Sequence, residues 1–111
     1  MNRIAMSPDA LAVLRALVGR AGVSRDRILL SDSKSVEWNS LTFTGERHQL
    51  ELRVPGPDSM SVVQRMYDDL EDAEFNLRGI IVADIAITDG PQQTPDGSVI
   101  LTIEALTVAD D

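Results

Sequence analysis

Cysteine is absent from this 111-residue chain. That excludes a disulfide scaffold, a thiolate zinc site, an iron–sulfur cluster and a cysteine nucleophile. Histidine occurs once, at His48, and only four residues are aromatic. No Walker loop, dinucleotide fingerprint, zinc-ligand spacing, paired-carboxylate motif or Gly-x-Ser-x-Gly elbow is present. No cofactor or metal is therefore expected, and the chemistry points away from an enzyme. Long apolar runs are missing too: Arg15, Arg20, Arg25 and Arg27 interrupt the one candidate for the ~20 residues that a membrane span needs. The N-terminal residues lack the apolar core and cleavage site of a signal peptide, so a cytoplasmic protein without a membrane partner is expected.

Positive charge is scarce and unevenly placed. The formal charge is −8; residues 1–55 carry eight basic side chains against six acidic ones, whereas residues 56–111 carry only Arg65 and Arg78 against twelve acids. A nucleic-acid partner requires a basic footprint that displaces counterions, and this field opposes it. No polar linker divides the chain, so residues 1–111 are expected to form one domain.

Two helices and two hairpins account for the patterning. Ser7-Pro8-Asp9 is a strong helix start, followed by Leu11, Leu14, Leu17 and Val18 at helical spacing, which predicts a helix over about residues 8–20. Residues 22–34 give no clear signal; Ile28-Leu29-Leu30 is too short to assign, and Ser31-Asp-Ser-Lys-Ser reads as a loop. From Val36 to Val54 the period is two, and Gly45-Glu46 fits a tight turn. That turn pairs Leu41 with Leu50, Phe43 with His48 and Trp38 with Arg53. A second amphipathic helix is predicted from Asp58 or Ser59 to about Glu74, with Met60, Val63, Met66, Tyr67 and Leu70 on its apolar stripe. The last third reads as a hairpin about the turn-rich stretch Asp89–Gly97. The expected architecture is α+β, helix-hairpin-helix-hairpin (αββαββ), with a mainly antiparallel four-stranded sheet against two amphipathic helices.

The final hairpin is apolar on both faces. Folded symmetrically about Gln93, it places Ile81, Ala83, Ile85, Ile87, Val99, Leu101, Ile103 and Ala105 on one face. Ile80, Val82, Ile100, Leu106 and Val108 then share the other with Asp84, Thr102 and Glu104. Burying each aliphatic side chain is worth ~1.5–3 kcal/mol, so this second face is expected to be covered. The N-terminal helix or the Ile28 segment could cover it from within the chain. A second copy or a protein partner is the other cover, and it makes the domain a non-enzymatic interaction module, expected to be a homo-oligomer. The alternative is a small-molecule-binding domain or small enzyme with a pocket between sheet and helices. Trp38, His48, Arg53 and Tyr67 are its candidate ligand or anchor residues.

Overall fold

The computed structural model describes residues 5–110; residues 1–4, which enter the signal-peptide reading, and residue 111 lie outside them. Its order is α1 (Pro8–Ala21), β1 (Leu29–Asn39), β2 (Thr44–Val54), α2 (Ser59–Tyr67), β3 (Ile80–Gln93) and β4 (Val99–Ala109). Short 3-10 turns at Arg25–Arg27 and Leu70–Asp72 punctuate the connections. The four strands form one antiparallel sheet in the order β1-β2-β4-β3. This is the expected α+β arrangement.

Helix α1 begins as the sequence requires. The Ser7 hydroxyl accepts the Ala10 N–H at 3.1 Å, Pro8 takes the first turn, and Gly22 closes the far end in the left-handed region at φ 69°. Its Ala10, Val13, Leu17 and Ala21 are buried together with Val62, Val63 and Met66 of α2. Both helices lie on one side of the sheet, over Leu50, Leu52 and Val54 of β2 and Val99, Leu101, Ile103 and Ala105 of β4. Arginines then join the helix ends reciprocally. Arg20 of α1 donates to the carbonyls of Met66 (3.0 Å) and Asp68, and Arg65 of α2 donates to the carbonyl of Ala21 at 3.0 Å. Each guanidinium thus meets the negative end of the other helix.

Three expectations are corrected. The first hairpin turns at residues 40–43, where the Ser40 side chain accepts the Phe43 N–H at 3.0 Å and the Ser40 N–H reaches the Phe43 carbonyl at 2.9 Å. Trp38 consequently pairs with Gly45, His48 with Ser35, and Arg53 with Leu29. Gly45 is in the strand because β4 passes too close for a side chain: a Cβ there would lie 2.1 Å from the Thr107 carbonyl oxygen. With the turn at 40–43 the pairing with β2 runs back along the chain, so the Ser31–Ser35 stretch, read as a loop, belongs to edge strand β1.

Helix α2 stops at Tyr67, short of the expected Glu74, and Asp69 adopts φ 53°. A run of aspartates at the negative end of a helix dipole favours such a stop. In the last hairpin, β3 continues through Asp89-Gly90-Pro91 to Gln93 instead of turning there. An irregular register between Asp89 and Gln92 absorbs the proline, which an edge strand tolerates.

Candidate functional site

The side of the sheet away from the helices is open, and pleat alternation fixes what it carries. Val99, Leu101, Ile103 and Ala105 point at the helices, so Ile100, Thr102, Glu104, Leu106 and Val108 point outward. The pairing then gives outward rows across β1, β2, β4 and β3. They are Trp38, Gly45, Val108 and Ile81; Val36, Arg47, Leu106 and Asp84; and Lys34, Gln49, Glu104 and Ala86.

This register corrects the expected faces of the last hairpin. A bulge between Val82 and Asp84 inverts β3 near its start. Ile80 and Val82 therefore lie on the helix side, where Ile80 is buried and Val82 packs against the core, while Ile81 turns outward. Of the predicted interface residues, Ile100 and Leu106 face outward and are half-buried, and Val108 faces outward but is itself buried within the sheet surface. Among the described residues no helix covers them, which overturns cover by the N-terminal helix or by the Ile28 segment; Ile28 itself belongs to the core under the helices.

The open face is apolar at one end. Val36 is 60% and Ile81 46% exposed, and Leu41 and Phe43 stand exposed in the adjacent loop. Charge divides it lengthwise. Outward positions of β1 and β2 hold Lys34, Arg47 and Arg53 against Asp32 and Glu51, whereas those of β4 and β3 hold Asp84, Asp89 and Glu104 with no base.

No family model matches the chain, and neither a curated protein nor a solved structure matches it. What it does must come from its own geometry.

The four candidate ligand or anchor residues are dispersed. Trp38 lies on the open face. Tyr67 borders a cleft of about 450 Å³ with Leu70, Ile87 and Pro91. His48, expected beside Phe43 at a sheet edge, is instead fully buried on the helix side of β2. Its Nδ1 hydrogen-bonds the Ser35 hydroxyl at 2.7 Å and its Nε2 the Thr107 hydroxyl at 2.8 Å. Burial lowers its pKa, against the opposing pull of Glu46 and Asp9.

Arg53, expected over Trp38, instead reaches Asp96 in the β3–β4 loop at 2.6 Å. The Asp96 carboxylate also accepts the Thr94 hydroxyl and the Ser98 N–H, the latter at 3.0 Å. The Thr94 and Ser98 bonds, with Arg53 adding to them, hold its pKa well below the ordinary carboxylate range. Arg27 does the same for Asp58 at the start of α2. Folded-state values below the unfolded ~3.9 mean that the unfolded chain takes up protons first on acidification. The stability these carboxylates contribute is whole above about pH 4 and is lost as the pH falls further. The urea midpoint should decline through that range, and Asp96→Asn should make the decline shallower while lowering the neutral-pH midpoint. Equal acid slopes in the two proteins would contradict this account.

Proposed function

We propose that the protein is a self-assembling, non-enzymatic module whose interface is the open face of its sheet, with a second copy of the chain as the occupant. The observation that carries this is the placement of both helices on one side, which among the described residues leaves Val36, Trp38, Ile81 and Leu106 on the other without a covering element. Four strands ~4.8 Å apart and ~11 residues long present roughly 600 Å². That approaches the ~800 Å² per partner of a standard interface, and the exposed Leu41 and Phe43 extend it.

Charge selects the symmetry. A two-fold axis parallel to the strands lays β1 and β2 of one copy over β3 and β4 of the other, row upon row. Trp38 then meets the partner's Ile81, while Arg47 and Lys34 come within reach of the partner's Asp84 and Glu104. An axis perpendicular to the strands would set the acidic halves against each other, which costs free energy. Self-complementarity of this kind is what a closed isologous dimer needs.

Light scattering at tens of micromolar should return twice the chain mass. The double variant Val36→Asp/Ile81→Asp should be a folded monomer, because both side chains are already solvent-exposed in the single chain. Raising salt should weaken the wild-type dimer as its charge pairs are screened. A wild type that stays monomeric at ~100 μM would remove the proposal, and so would a double variant that keeps the wild-type mass.

A further inference from the structure

The geometry points to a divalent transition-metal site, of the zinc class, formed by Asp9, Glu46 and His48 where the start of α1 meets the central strand β2. One ligand atom from each of the three lies within 4.8 Å of the others. Glu46 and His48 stand two residues apart on the helix side of β2, and Thr107 lies directly across from Glu46 on β4. Asp9 arrives from the first turn of α1, whose position is fixed by the Ser7 cap.

Three features distinguish this cluster from an ordinary acidic surface. The imidazole is completely buried and held at both nitrogens, Nδ1 by Ser35 at 2.7 Å and Nε2 by Thr107 at 2.8 Å. The Thr107 hydroxyl in turn donates to Asp9 at 3.5 Å, so a metal at Nε2 would replace the Thr107 bond beside the two carboxylates. Metal-bound histidines characteristically have the second ring nitrogen fixed by an oxygen in this way. The two carboxylates offer oxygens within 4.8 Å of each other, and among the described residues neither has an arginine or lysine partner, so a bound cation would meet no competing base. Finally, His48 is fixed by burial and two hydrogen bonds, whereas both carboxylates are only half-buried.

Ligand atoms around a tetrahedral zinc at ~2.0–2.1 Å are about 3.4 Å apart, so closure asks each carboxylate to shift by roughly 1 Å. Imidazole with two carboxylates suits zinc or manganese better than calcium or magnesium, which take oxygen ligands throughout. Three protein ligands leave a fourth position for the Thr107 hydroxyl or water. On binding, the ring proton leaves Nε2, where Thr107 accepts it while donating to Asp9, and is carried instead on Nδ1, where the Ser35 hydroxyl turns to accept it. The freed Nε2 lone pair goes to the metal. The bound ion would pin α1 to the middle of the sheet.

Zinc chloride titrated calorimetrically into the full chain should saturate at one equivalent. The ring 15N signals of the single histidine should shift, most strongly at Nε2. Cobalt(II) in place of zinc should give a visible d–d absorption band. Asp9→Asn and Glu46→Gln, both conservative and at half-exposed positions, should each weaken binding at least tenfold. Asp69→Asn/Asp72→Asn, in the exposed acidic stretch after α2, should leave it unchanged. The site is disproved if no saturable binding occurs at a hundredfold excess of zinc, if Asp9→Asn and Glu46→Gln bind like wild type, or if the histidine ring signals do not move.

Discussion

Gly45→Ala is expected to destabilise the domain by about 3 kcal/mol or more, a large share of the ~5–15 kcal/mol typical of a whole domain. The added methyl would stand 2.1 Å from the Thr107 carbonyl oxygen and 3.1 Å from a methyl of Val108. The first contact is with backbone, which cannot rotate away as a side chain can. Relief requires β2 and β4 to separate at the seam between the two hairpins, breaking ladder hydrogen bonds whose partners are then left unsatisfied. Urea unfolding monitored by circular dichroism measures the effect. A loss under ~0.5 kcal/mol would mean that the β2–β4 register is wrong at this end.

Leu52→Ala should cost about 2–5 kcal/mol, the usual range for a leucine removed from a closed core. Leu52 is fully buried in β2, beneath both helices and beside Leu101 of β4. A cavity at that place has walls on three elements and little means of collapsing. The denaturant slope should stay near its wild-type value while the midpoint falls, since the same surface is exposed on unfolding. Loss below ~1 kcal/mol would show that the helices do not close over β2.

The fold class was legible because its signals are local. Ser7-Pro8 with the Leu11, Leu14, Leu17 spacing contains everything that α1 needs, and the alternation of Val99, Leu101, Ile103 and Ala105 orients β4 without any reference to its neighbours. The first hairpin was misplaced for a physical reason. A strand pair can slide by an even number of residues and keep every inward side chain inward, so alternation alone does not choose among such registers. Gly45 then looked like a turn residue, although its function is to let the backbone of β4 approach. The bulge beside Ala83, which exchanges the faces of Ile80 and Ile81, leaves no mark in a composition of small and aliphatic residues.

The sites divide similarly. The surplus of aliphatics on the outward side of β4 could be read from the chain, but the charge division across the face depends on strand order. His48 was noticed only as a lone histidine. Its spacing from Glu46 on a strand was the available signal, whereas Asp9 reaches the pair only through the packing of α1.

The strand order has a kinetic consequence. Each hairpin joins neighbours in sequence and can close on its own, but the seam between β2 and β4 unites segments separated by α2 and the whole of β3. Closing that long loop loses chain entropy before its contacts form, so the docking of two preformed hairpins is the step expected to limit how fast the molecule assembles. Gly45 and Val54 bound this seam, and the collapse of helices onto the sheet can be completed only once it has zipped.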